Sequence, residues 1–214
     1  KQEIAVGLDP GSKREAYTIK SEAHTYLNSL TETPDWVKDA VETRRIMRRA
    51  RRFRNTRYRQ CRFSNRKSSK LAPSTKARWQ LKLRMLAWLS QMFTITHIVV
   101  EDIKAKTWKN ARKWNSSFSP LEVGKKWFYD QVKSFGILHI KQGYETKELR
   151  DNASLKKSSA KLGDKFESHN VDSWVLANWC VGGHIKPDNK SIMKIVPLQF
   201  HRRQLHYFQY SKGG

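Results

Sequence analysis

Ile4-Ala5-Val6-Gly7-Leu8-Asp9-Pro10-Gly11 begins with six residues that alternate and favour extended backbone, and ends in a Pro-Gly turn. It predicts a strand over 4–9 with an acid on its last residue. Working outward, 16–19 and 24–27 read as two further short strands joined by a tight polar turn, so the three form an antiparallel meander. Asp35 is placed to cap a helix starting at Trp36, with a narrow apolar stripe of Trp36, Ala40, Met47 and Ala50. Pro73-Ser74-Thr75 punctuates the chain before a second helix over about 76–93, where Trp79, Leu83, Leu86 and Phe93 fall close to one face. Residues 95–100 are a near-continuous apolar run of strand length, as in a buried central strand, and Glu101-Asp102 follows it. A helix over 121–135 with Gly136 as its C-cap, a strand over 137–140 and a helix over 164–180 complete the pattern. Polar stretches at 108–120 and 156–161 read as loops.

The chain has 214 residues, 43 Lys+Arg against 19 Asp+Glu, and a formal charge of +24. Such a charge makes the compact state repel itself, and a polyanion is its natural counterpart. The charge is concentrated. Residues 43–100 contain no acid and 17 of the Lys+Arg, leaving +7 for the rest of the chain. Arg44, Arg45, Arg48, Arg49, Arg51, Arg52, Arg54, Arg57, Arg59 and Arg62 lie in this tract, interleaved with Phe53, Tyr58 and Phe63. Guanidinium forks suit bidentate phosphate contacts, and aromatic rings stack on unpaired bases, so the tract is assigned to nucleic acid. The apolar stripe fades there, and a polyanion is expected to order that part. Eight Trp and nine Phe argue against wholesale disorder. No run is long enough to span a bilayer, and no membrane partner is expected. Cys61 and Cys180 are far apart in sequence and make no zinc pattern, which suits a reducing cytosol.

Three strands, a basic helical insertion, a strand, a helix, a strand and a helix is the element order of ribonuclease H-like folds. The fold class is α/β, a mixed sheet flanked by helices with an inserted Arg-rich helix. In such a fold Asp9 and Glu101, at the C-terminal ends of the first and fourth strands, point into one cleft, and the last helix brings Asp172 to its side. His169, one turn before Asp172, is expected on the same helix face. Clustered carboxylates repel unless a cation neutralises them, and hard oxygen ligands select Mg²⁺ or Mn²⁺. Two such ions would support phosphodiester cleavage, with His169 orienting or protonating. Taken singly, each acid has a plainer role as a turn or solvated residue. Asp102 is assigned a structural or solvated role, and His24, His97, His139, His184, His201 and His206 are scattered, none read as a metal ligand.

Residues 5–13 (Ala-Val-Gly-Leu-Asp-Pro-Gly-Ser-Lys), 98–103 (Ile-Val-Val-Glu-Asp-Ile) and 168–174 (Ser-His-Asn-Val-Asp-Ser-Trp) resemble the three split segments of a RuvC nuclease domain. Glu42-Thr-Arg-Arg-Ile-Met-Arg-Arg-Ala-Arg-Arg resembles the Arg-rich bridge helix of the transposon-encoded IscB and IsrB proteins. The stretches from Phe118, Lys141 and His201 are similar to the IsrB type in particular. The resemblance implies an omega-RNA-guided DNA nickase of the prokaryotic cytosol or nucleoid, with guide RNA and target DNA as partners. Its RuvC site would cut the non-target strand with Mg²⁺. IscB carries an HNH nuclease between the second and third RuvC segments. Here 67 residues (102–168) separate Glu101 from His169, with one histidine, His139, and no cysteine, so an HNH domain is not expected. The implied division is 1–34 RuvC segment I, 35–70 bridge helix region, 71–163 segment II with connecting loops, and 164–214 segment III with the start of a C-terminal region. A full-length member would add a short N-terminal domain and a longer C-terminal region, so the sequence reads as a piece of a longer protein. A non-catalytic RNA-binding protein, and a guide-free junction resolvase or transposase, are the alternatives.

Overall fold

A computed structural model describes residues 2–53, 71–102, 121–160 and 162–197. Its sheet has six strands: β1 (Ile4–Asp9), β2 (Arg14–Ser21), β3 (Thr25–Glu32), β4 (His97–Asp102), β5 (Ile137–Gln142) and β6 (Met193–Ile195). Their order is β5-β4-β1-β2-β3-β6. β2 is antiparallel to both β1 and β3, whereas β4 is parallel to β1 and to β5, and β6 is parallel to β3. An antiparallel meander whose first strand also pairs in parallel with a distant, apolar strand is the ribonuclease H-like arrangement.

Among the described residues five α-helices accompany the sheet: α1 (Trp36–Phe53), α2 (Pro73–Met92), α3 (Lys125–Val132), α4 (Gly143–Asn152) and α5 (Asn170–Val181). Side chains alternate across the strands, so each face has its own partner. On one face Val6, Leu8, Tyr17, Ile19, Ile98 and Val100 pack with Trp79, Met85, Leu86 and Leu89 of α2 and Phe128 and Val132 of α3. Trp79 and Phe128 stack with ring centroids 4.8 Å apart. Burying each such side chain contributes roughly 1.5–3 kcal/mol. The opposite face receives α5. There Gly7 is required, because a Cβ on it would lie 1.8 Å from the Ser173 carbonyl oxygen. Thr18 Oγ1 and Ser173 Oγ are 2.8 Å apart, Asn170 Nδ2 donates to the Ser29 carbonyl, and Trp174 Nε1 donates to Thr25 Oγ1. Those contacts fix the rotation of α5 on the sheet.

Several boundaries differ from the sequence expectation. The third helix is shorter, ending at Val132, and Gly136 is not its C-cap. A Cβ at Gly136 would lie 2.8 Å from the Thr96 carbonyl oxygen, so its service is close approach to β4. The helix placed over 164–180 starts at Asn170, after a 3₁₀ turn at Phe166–Ser168. α4 and β6 were not expected; α4 opens with a reciprocal capping box between Gln142 and Glu145. The buried face of α2 includes Lys82, which forms an ion pair with the wholly buried Glu15 of β2. No described helix is long and apolar enough to cross a membrane.

Candidate active site

Asp9 ends β1, Glu101 lies near the end of β4, and Asp172 lies in the first turn of α5. One carboxylate oxygen from each lies within 4.8 Å of the others. Asp9 and Asp172 are buried and Glu101 is half-buried. The meeting follows from topology. The parallel pairing of β1 and β4 sets Leu8 opposite Val100, so the next residues, Asp9 and Glu101, emerge side by side. The Gly7–Ser173 contact, two residues before Asp9 and one after Asp172, brings the helix down at the same place.

Three basic side chains close the cluster. His169 caps α5 rather than occupying a helical turn, and its Nδ1 is 3.5 Å from Asp9 Oδ2. Its shared helix face with Asp172 is therefore corrected, while its adjacency to the acids stands on the ring contact. Arg150 of α4 donates to Asp172 Oδ1 at 2.6 Å. Lys157, in the polar stretch read as a loop, contacts Asp172 Oδ2 and lies 3.7 Å from Asp9 Oδ2. Neither Arg150 nor Lys157 was singled out from sequence. Arg150 sits in the unrecognised helix α4, and Lys157 looks like any other lysine in a run of them. The only prior signal was the repulsion of three gathered acids, which demands cations nearby.

Charge and protonation are distributed unevenly. Burial pushes the Glu101 carboxyl up to about 8, and the neighbouring Asp9 and Asp172 charges add to this. Burial works against ionised Asp9, but the His169 hydrogen bond, the Lys157 charge and a hydrogen bond from Glu101 outweigh it and hold Asp9 below the ordinary carboxylate range. Lys157 is raised: burial disfavours its charge, and Asp9 and Asp172 more than restore it. Three acids with two cations and one proton are thus close to neutral. A hard divalent cation fits this donor set, because it would take the place of the proton between Asp9 and Glu101. Asp102, on the opposite face of β4, accepts from Lys125 Nζ (2.7 Å), Tyr129 Oη (3.1 Å) and Gln142 Nε2 (3.2 Å), in keeping with its assigned structural role.

The arginine tract divides. Arg44, Arg45, Arg48, Arg49 and Arg51 lie on α1 and are exposed. Arg52 also lies on α1, and nothing is assigned to its side chain; Arg54, Arg57, Arg59 and Arg62 fall outside the described residues. Ile46, Met47 and Phe53 are exposed as well, while Val37 near the start of α1 is buried. The expected stripe forms no buried face: Trp36 and Met47 are exposed and Ala40 and Ala50 half-buried, and the helix is anchored instead by Val37. Most of α1 presents charge to solvent.

Comparison with known proteins adds three findings. The structure of Thermus thermophilus RuvC in complex with Holliday junction substrate aligns with a TM-score of 0.43 and 10% identity, over 85% of this chain and 97% of that one. A second Thermus thermophilus RuvC structure aligns with a TM-score of 0.41 and 12% identity, over 81% and 90%. No curated protein matches the sequence. A family model described as RRXRR protein matches residues 1–116, a span that includes Arg48-Arg49-Ala50-Arg51-Arg52. The match covers more than half of the chain, which therefore belongs to the RRXRR protein family.

Proposed function

We propose that the chain is an RNA-guided DNA nickase, with Asp9, Glu101 and Asp172 as the ligands of two Mg²⁺ ions, Mn²⁺ being an alternative. The observation that carries this is the convergence of three carboxylates from β1, β4 and α5 to within 4.8 Å. When bound, two such ions activate water for attack on a phosphodiester and stabilise the departing oxygen. Asp9 is already ionised and supplies a permanent ligand. Glu101 releases its proton as the site is loaded. His169, beside Asp9, holds or moves a proton at the rim, the task of an imidazole in phosphoryl hydrolysis. Arg150 orients Asp172 through its 2.6 Å contact.

α1 supplies the partner surface. Its exposed arginines, continued in sequence by Arg52, Arg54, Arg57, Arg59 and Arg62, bind phosphate without reading bases, as a guide RNA or its heteroduplex with DNA requires. One nuclease centre, with no HNH domain expected between Glu101 and His169, supports cutting of one strand, assigned here to the displaced non-target strand. A prokaryotic cytosol or nucleoid is the setting that follows.

Purifying the full chain from its native host and sequencing the bound RNA tests the guide. A discrete RNA is expected, and DNA matched to its guide segment should be nicked only when that RNA is present. Cleavage of branched DNA without RNA would assign a resolvase. RNA binding with no cleavage under any divalent ion would assign a non-catalytic binder.

A further inference from the structure

The sheet face that carries Asp9 and Glu101 holds a second cluster at its other end. His97 begins β4, His139 lies in β5 and Cys180 lies in the last turn of α5. Each offers one ligand atom within 4.8 Å of the other two, and all three residues are half-buried. Register accounts for the imidazoles: His97 pairs with Ile137 and Val99 with His139, so the two histidines are diagonal neighbours on one face. α5 runs antiparallel to β4, setting Asp172 at one end of the sheet and Cys180 at the other. The sequence reading passed over these residues because 42 positions separate the histidines and no short spacing joins either to Cys180.

We propose that His97, His139 and Cys180 form a zinc site that clips the C-terminal end of α5 to β4 and β5. The site stands apart from the carboxylate cluster and is independent of the function proposed above. Two geometric features point to it. His97 Nδ1 and His139 Nε2 are 3.2 Å apart. Tetrahedral zinc with Zn–N bonds of about 2.0–2.1 Å sets two imidazole nitrogens about 3.3 Å apart. The far nitrogen of His97, Nε2, lies 3.7 Å from Glu3 Oε2. A carboxylate behind a ligating imidazole fixes its tautomer and turns the lone pair of the other nitrogen inward, the usual support of a zinc-bound histidine.

Protonation suits the same role. Burial, then the neighbouring His97 and Lys141, lower the basicity of His139, which favours the neutral, ligating imidazole. Burial and Glu3 push the Cys180 thiol up, so the thiol holds its proton until a cation displaces it to solvent. Lys141 is turned away to other partners, its Nζ 4.0 Å from the centroid of a Trp179 ring and 3.1 Å from Glu145. Two imidazoles and a thiolate are borderline-to-soft donors, which discriminate against the Mg²⁺ suited to the carboxylates. The fourth position is left to water.

Titration of the chelator-stripped full chain with Co²⁺ alone, followed by Zn²⁺, tests the site. One equivalent of Co²⁺ is expected to give tetrahedral ligand-field bands with a thiolate-to-cobalt charge-transfer band, and Zn²⁺ should displace both. Cys180→Ser should abolish the charge-transfer band, and His139→Gln should weaken binding at least ~10-fold. Glu3→Gln, acting only through His97, should weaken it roughly 10–100-fold. Asp9→Asn should leave the cobalt spectrum unchanged. Absence of a charge-transfer band in the unaltered chain would overturn the proposal, whatever the folding of the variants. A band that survives Cys180→Ser would also overturn it, because the thiolate would then be Cys61.

Discussion

Glu101 is held as a neutral acid between Asp9 and Asp172, and this has consequences for stability as well as chemistry. Its carboxyl, raised from 4.5 to about 8, keeps a proton in the folded chain that the unfolded chain has already released. Folding stability therefore falls as pH rises from about 4.5 to about 8 when a chelator removes divalent ions. Glu101→Gln should remove that slope and leave the chelated protein of order 1 kcal/mol more stable at pH 8. For a chain of this size that is about 2–4 °C in Tm. The same variant should be inactive. A calorimetric pH series on the two proteins checks both signs. Arg150→Ala has the opposite effect. It leaves buried Asp172 dependent on Lys157 alone and should cost about 3 kcal/mol in urea unfolding, partly recovered by excess Mg²⁺.

β1 and α5 must touch for the carboxylates to meet, and Gly7 permits the contact. Gly7→Ala would force a Cβ into the Ser173 carbonyl, so the helix must lift. Stability should fall by more than about 3 kcal/mol, with loss of divalent-ion binding even in the molecules that remain folded, as measured by urea unfolding and Mn²⁺ binding. α1 answers to a different measurement. Replacing Arg48, Arg49, Arg51 and Arg52 together should flatten the salt dependence of RNA affinity by about 3 in the log–log slope, if all four reach phosphate. An unchanged slope would remove α1 from the RNA surface.

Legibility also differed by element. Strands β1 and β4 were readable because alternation and a continuous apolar run are local signals. The end of the third helix was misplaced because Gly136 is a glycine for a tertiary reason, its approach to Thr96, and not for a left-handed cap. α4 escaped notice because it buries almost nothing, Thr146 being its one buried residue, and so lacks an apolar period. Lys82 was legible as charge and illegible as core, since its partner Glu15 lies on another element. The acids Asp9, Glu101 and Asp172 were legible because they stand at element ends. Arg150 and Lys157 were not, because only the folded chain reveals which cations face them.

Across the whole molecule, charge and chemistry occupy separate places. Most of the +24 lies in one acid-free stretch, whose described parts are the exposed C-terminal part of α1 and residues 71–100, where α2 packs into the core. The acids that matter are three, gathered at the C-terminal ends of two parallel strands and the start of one helix. The rigid contact between β1, β4 and α5 holds them, while α1 stands clear of that face. The two ends of α5 then carry different donor sets, oxygen at one and nitrogen with sulfur at the other. In the proposed function, this layout would let the chain bind a polyanion and cut a phosphodiester without the basic surface neutralising the acidic site.

The most direct test labels both strands of a guide-matched DNA duplex at their 5′ ends and incubates it with the full chain, its RNA and Mg²⁺. Unaltered protein should cut the non-target strand alone, and Asp9→Asn should lower that rate by roughly 10³-fold or more while leaving RNA affinity unchanged. Cleavage that persists in Asp9→Asn at the original rate would contradict the assignment of Asp9, Glu101 and Asp172 as the metal-binding centre.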